Sequence, residues 1–221
     1  MEILRITALT VGLAGLATAI MLPPGLLLAW VLTRPGFRGK VLLETFVSLP
    51  LVMPPVATGL ILLMLLAPRG TFGGALGALG IEIVFTWKAV VIAMAVMGLP
   101  LLVRTARAGF EQVDVRYERV ASTLGAPPFR VFLTVTLPLA LPAVTAAAVL
   151  CFARAIGEFG ATMMIAGSIP GSTRTLAVAI YSFAETGRDI EAAQLVLVSA
   201  GIAFAALMLA NWIGTRSGLR T

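Results

Sequence analysis

Two charged residues lie deep inside an apolar run, Arg154 and Glu158. Four residues apart on a helix, they project from one face and can pair. A lone charge at the centre of a bilayer costs about 2.5 to 3.5 kcal/mol even on gentle insertion scales, so pairing or a wet cavity must resolve it. Two chemistries follow: a positive group beside the path of an anion, or an intrahelical pair that holds helices together. A permanently paired arginine is a poor anion site, which favours the structural role. Other chemistry is scarce. The chain has no histidine, which removes histidine-based catalysis and metal binding, and neither a metal nor a cofactor is expected. Its two lysines are Lys40, preceded by Gly39 and followed by Val41, and Lys88 within Thr-Trp-Lys-Ala. No phosphate-cradling loop is present, so the chain is not expected to be an enzyme, and any ATP hydrolysis belongs to another protein. The single cysteine, Cys151, sits in an apolar run and reads as a small core side chain.

The elements that position these residues follow from composition. Of 221 residues, 59% are hydrophobic and 12% charged, with a mean hydropathy of +1.03; soluble domains run at about 45 to 50% and about 25%. So much apolar surface needs lipid. A spanning helix takes about 20 apolar residues, and five stretches qualify: 7–33, 41–67, 85–103, 137–166 and 192–214. A β-barrel would show alternating segments of about ten residues, whereas 60–67 and 195–210 are apolar on every face. The first stretch is 27 residues long, beyond the roughly 7 to 15 of a signal-peptide core. The expected fold class is all-α, a polytopic membrane protein forming one transmembrane domain over residues 1–221.

Lys and Arg concentrate in loops on the cytoplasmic side. With the amino terminus outside and the carboxyl terminus cytoplasmic, the inner segments carry Arg34, Arg38, Lys40, Arg104, Arg107, Arg116, Arg119, Arg130, Arg216 and Arg220. The outer segments carry only Arg5, Arg69, Lys88, Arg174 and Arg188. The net charge of +6 thus reads as a topology signal, and nothing clusters it on a soluble face as nucleic-acid binding requires.

Prolines crowd the spans: Pro23 and Pro24, then Pro50, Pro54 and Pro55, then Pro100, then Pro138 and Pro142. Each removes a backbone donor, and the freed carbonyl must find a neighbour in lipid. The cluster at 50–55 predicts a broken helix lining a path, with Pro54, Pro55 and Thr58 as candidates beside Arg154, Glu158 and Thr162. Residues 69–80 read as a glycine-rich connection, and 167–191 as an outer segment whose apolar patch dips into the leaflet or caps the bundle. Residues 104–137 are the sizeable polar stretch on the cytoplasmic side, with its loop at about 109–137. Asp114 can cap a helix over 115–124, Gly125 can end it in a left-handed conformation, and Pro128 suits the first turn of a second helix over 128–137.

The stretch YERVASTLGAPPFRVFLTVTLP resembles the cytoplasmic loop of ABC importer permeases, with its Glu-Ala-Ala, Gly and Ile-x-Leu-Pro pattern. Gly125 is followed by nine residues and then by Val135, Thr136, Leu137 and Pro138. Arg119 and Val120 stand where the family has Glu and its first Ala; Glu118 lies one position early, and Val135 replaces Ile. LPLVMPPVATG and FARAIGEFGATMMIAGSIPGSTRTLAVAIY are similar to the molybdate permeases and, more loosely, to sulfate, thiosulfate and tungstate permeases. The resemblance covers most of the chain between Pro35 and Tyr181. It implies a type I importer permease of the bacterial cytoplasmic inner membrane, paired with a second copy of itself. Two ABC ATPase subunits and a periplasmic or extracellular oxyanion-binding protein complete the assembly. It also implies ATPase coupling through Glu118, Arg119, Val120, Ala121, Leu124, Gly125 and Pro138, with Val120 and Leu124 filling a groove and Glu118 and Arg119 at its rim. A stand-alone secondary transporter is the rival, but no inverted repeat or proton relay is evident.

Overall fold

The computed structural model describes residues 1–34 and 38–216, with side chains through residue 213. Pro35, Arg220 and the side chain of Arg216 lie outside the described residues. Among the described residues every regular element is helical. The chain opens with α1, Glu2–Thr33, which runs unbroken through Pro23 and Pro24.

Next come α2, Lys40–Val52, and α3, Pro55–Leu66. They meet at 112°, so the predicted broken helix is present. Its cause is local. A residue before proline is pushed out of the helical region, and here both Met53 (ψ 146°) and Pro54 (ψ 131°) are extended. Pro55 then starts α3 at the position where a missing N–H costs nothing. Within the glycine-rich connection a short helix forms, α4, Gly73–Ala78.

The third span is α5, Trp87–Glu111, capped by Thr86, whose hydroxyl accepts from the Lys88 N–H. It outruns the expected end at residue 103 because its last turns hold good helix formers whose charges are paired. Arg107 bridges Glu111 at 2.7 Å and Glu44 at 3.0 Å, and Arg104 donates to Ser48 at 3.1 Å. The loop consequently begins near Gln112 rather than residue 109.

Asp114 caps α6, Val115–Thr123, by accepting from the Arg116 N–H at 2.9 Å. Gly125 ends it at φ +84°. There the Ala126 N–H donates to the Ala121 carbonyl and the Gly125 N–H to that of Ser122, the paired closure that a left-handed residue makes possible. An arm follows, made of α7, Pro128–Val131, a π-helical turn, Phe132–Thr136, and α8, Leu137–Leu139. It meets α9, Leu141–Ile156, at 78°. Pro138 and Pro142 flank the break at Ala140, each withholding a backbone donor.

This break corrects the expected fourth span at 137–166. The arm and α9 pass for a span only together, as a bent pair, and Pro138 lies on the arm's side of the bend. Gly157 ends α9, and 160–166 is a separate helix, α10, Gly160–Ala166. The apolar patch of the next segment folds as α11, Leu176–Glu185, and α12 is Asp189–Arg216. Among the described residues three helices thus qualify as unbroken spans, and the two bent pairs, each taken as one span, raise the total to five.

Burial places α5 at the centre: 67% of its apolar window is buried, against 28% for α1 and 17% for α12, which are largely exposed. Lipid tails are as apolar as leucine, so helices associate by close packing, and small residues allow it. A Cβ on Gly98 would lie 2.8 Å from Cys151 Sγ, and one on Gly109 would lie 2.2 Å from the Ala143 Cβ. These contacts set the α5–α9 crossing. At one end Thr10 of α1 accepts from the Leu176 N–H at 2.8 Å, so α11 caps the bundle. Arg188 meets Glu2 nearby at 3.1 Å.

Candidate functional site

The opposite end of α1 carries the polar segment. Trp30 lies 5.0 Å from Phe132 and 6.3 Å from Phe129, and Phe132 in turn meets Phe110 edge-on at 5.4 Å. Such pairs contribute about 0.5 to 1.5 kcal/mol each beyond the area they bury, and they fasten the arm to α1 and α5. Arg34 stacks its guanidinium 4.5 Å above Trp30. Helix α6 has two faces. Glu118 and Ala121 turn inward, whereas Tyr117, Val120 and Leu124 are 59%, 61% and 83% exposed. Arg116 and Arg119 flank them, also exposed. Three large apolar side chains thus stand exposed on an otherwise polar helix.

Glu118 departs from the expected rim position. Its Oε1 accepts from the Thr136 hydroxyl at 2.5 Å, and its Oε2 lies 4.0 Å from Arg34. One helical step separates it from Arg119, so the two point to different sides. An open cleft of about 800 Å³ lies between α6 and the ends of α1 and α5, lined by Arg34, Glu111, Glu118 and Arg119 among others.

The second gathering of candidates lies where α3 crosses α10. A Cβ on Gly59 would fall 2.7 Å from the Ala161 Cα, and one on Gly160 would fall 2.9 Å from the Pro55 Cβ. The two half-helices therefore touch backbone to backbone, bringing Pro55, Thr58 and Thr162 to one crossing. Thr58 and Thr162 are buried there with hydroxyl oxygens that lack a hydrogen-bond partner. Glu158 is 1% exposed. Its Oε2 meets Arg154 Nη1 at 2.9 Å, and its Oε1 accepts from the Ala161 N–H at 2.9 Å. The carboxylate both neutralises Arg154 and caps α10, whose preceding residue Phe159 offers no side-chain cap. Neither oxygen is left to a solute. Among the described residues no cluster of His, Cys, Asp or Glu could hold a metal ion.

An all-helical bundle with a polar helix–glycine–arm segment at one end and broken helices inside is matched by sequence comparison. Residues 21–218 match the family described as the binding-protein-dependent transport system inner membrane component. The chain belongs to this family. Within it, the permease is 44% identical over 207 residues to the molybdenum transport system permease protein ModB of Escherichia coli K12, covering 93% of this chain and 90% of that protein. It is also 36% identical over 177 residues to the sulfate transport system permease protein CysT of the same organism, covering 80% of this chain and 63% of that protein. Among solved structures, one similar chain belongs to a bacterial alginate ABC transporter in complex with an alginate-pentasaccharide-bound periplasmic protein. Its TM-score is 0.68 at 17% identity, over 98% of this chain and 79% of that one. That likeness shows the fold.

Three residues of the permease that its sequence did not single out take part: Trp30, Arg34 and Thr136. Arg34 was legible only as one positive charge among many. Thr136 is the variable position of the Val-x-Leu-Pro run, and its partner became apparent only when the π-helical turn set its direction.

Proposed function

We propose that this chain is the membrane-spanning subunit of an ABC importer that carries molybdate into the cytoplasm, with ATP hydrolysis supplied by partner subunits. What carries the reading is family membership together with α6. A short polar helix, closed at Gly125, presents Tyr117, Val120 and Leu124 away from the bundle. Burying two such aliphatic side chains contributes about 1.5 to 3 kcal/mol each, enough to seat α6 in a groove on an ATPase while Arg116 and Arg119 contact its rim.

In this reading two copies of the permease assemble around a central path, each offering its α6 to one of two ATPases. The amino terminus lies outside, and a binding protein delivers the anion at the end capped by α11. Pro54, Pro55, Thr58 and Thr162 border the path, and two unbonded threonine hydroxyls suit the oxygens of a tetrahedral dianion. The charges of Arg154 and Glu158 cancel and hold α9 to α10. Pro138 lets the arm pivot as ATPases close and open. The sulfate relative keeps sulfate as a second reading. Purified permease, ATPase and binding protein should form one complex, and liposomes containing it should accumulate radiolabelled molybdate only with ATP and binding protein. Excess tungstate should compete strongly and excess sulfate weakly. Accumulation without an ATPase would overturn the reading in favour of a secondary transporter.

A further inference from the structure

With α6 taken as the element on which the ATPase acts, we propose that Glu118 and Thr136 form the internal tether that passes its movement to the arm and to α1. This rests on the coupling reading above. Helical threonines ordinarily return their hydroxyl to the carbonyl four residues back, as Thr7, Thr10, Thr18, Thr45, Thr134 and Thr145 do here. Thr136 does not. It is 1% exposed, and its hydroxyl donates across 18 residues to Glu118 at 2.5 Å. The π-helical turn supplies the reason. An extra residue per turn rotates the side chains that follow, so Thr136 at the end of Phe132–Thr136 points at α6.

The carboxylate has a second attachment, Arg34 at 4.0 Å, which in turn lies on Trp30. Glu118 thereby joins three elements: α6, the arm and the end of α1. Its neighbours on the outward face, Val120 and Leu124, make no comparable bond to the bundle, which leaves them for the partner. The tether also lies four residues before the 78° break at Ala140. A push on α6 is therefore delivered to the arm, which turns against α9 at that break. Thr136 is a positioning residue, without contact to ATP or anion.

The test uses the complete importer in liposomes. Thr136→Val should assemble and hydrolyse ATP while molybdate uptake per ATP falls about tenfold or more, the order expected on losing a hydrogen bond to a charged group. Thr136→Ser should restore the ratio, which a role in packing alone would not predict. Glu118→Ala lies on an accessible helix where folding is not at stake. It should reproduce the loss, and the double variant should be no worse than either single one. A spin label at Ser122→Cys, on the same helix and in a Cys151→Ala background, should gain mobility in both variants, a readout that needs no transport. Unchanged uptake per ATP in Thr136→Val, no recovery with Ser, or losses that multiply in the double variant would each overturn the tether. Failure of the coupling reading looks different: Val120→Asp with Leu124→Asp would then leave the ATPase bound.

Discussion

Replacing Gly125 with valine isolates the geometry of α6 from its packing. Gly125 sits at φ +84°, and a Cβ built there meets nothing within 4 Å. The site has room for a Cβ, so the penalty worked out here is conformational. A left-handed residue with a side chain costs about 1 to 2 kcal/mol, and a β-branched one sits at the upper end. That corresponds to a drop of roughly 5- to 30-fold in the population of the closed turn. If the turn opens, the bonds from Ala126 to Ala121 and from Gly125 to Ser122 go with it, and Val120 and Leu124 change direction relative to the arm. Membrane insertion does not depend on these contacts. Gly125→Val should reach the membrane at parental levels while ATPase pull-down or molybdate uptake falls about 5- to 30-fold. Gly125→Asn should retain most activity, because asparagine tolerates the left-handed region. Full uptake with normal ATPase stimulation in the valine variant would refute the assignment of this turn to coupling.

Orientation is checked with single cysteines in a Cys151→Ala background: one at Ser172 should react with an impermeant thiol reagent added outside and one at Ser122 should not, and the opposite pattern would invert the topology. At this pair, Glu158→Leu should lower the amount of folded complex, since it leaves the half-buried Arg154 unpaired and removes the acceptor of the Ala161 N–H. Arg154→Met with Glu158→Gln, whose amide oxygen can still accept from the Ala161 N–H, should recover much of it; good assembly without any transport in that double variant would instead give the pair a direct role. Gly59→Val would force atoms to within 2.7 Å of the Ala161 backbone and should reduce thermal stability of the purified permease, whereas Gly12→Val, with nothing within 4 Å, should not.

What the sequence made legible was whatever local chemistry decides. Asp114 and Gly125 bound α6 as expected because a carboxylate cap and a left-handed glycine act within a few residues. Pro54 and Pro55 break their span because adjacent prolines constrain the residues before them. Pro23 and Pro24, by contrast, lie within α1 without interrupting it. The difference is that both Met53 and Pro54 take extended conformations, whereas the turns around Pro23 stay helical. A proline count gives the number of missing donors, and which of them becomes a hinge depends on what packs around each.

The direction of Glu118 was illegible for a related reason. On a standard helix its inward or outward sense follows from its neighbours, and α6 alone has apolar residues at Val115, Val120 and Leu124 on more than one side. What settles it is a partner 18 residues later, aimed by a turn of π-helix that Thr-Val-Thr-Leu-Pro does not announce. Arg154 and Glu158 present the converse: four-residue spacing made their pairing legible, but not the second bond, from the Ala161 N–H, which needs the chain to break at Gly157 and restart at Gly160. In both places a carboxylate joins segments separated by a break. Glu118 joins α6 to the arm across the left-handed glycine, and Glu158 joins α9 to α10 across the gap at 157–159. A backbone interrupted between moving parts transmits force poorly, so the ion-assisted bond at each interruption supplies the stiffness that the missing helical turns would have given. By this argument the two glutamates differ in consequence: loss of Glu158 unfolds a crossing buried in the bundle, whereas loss of Glu118 leaves the bundle whole and uncouples its exposed end.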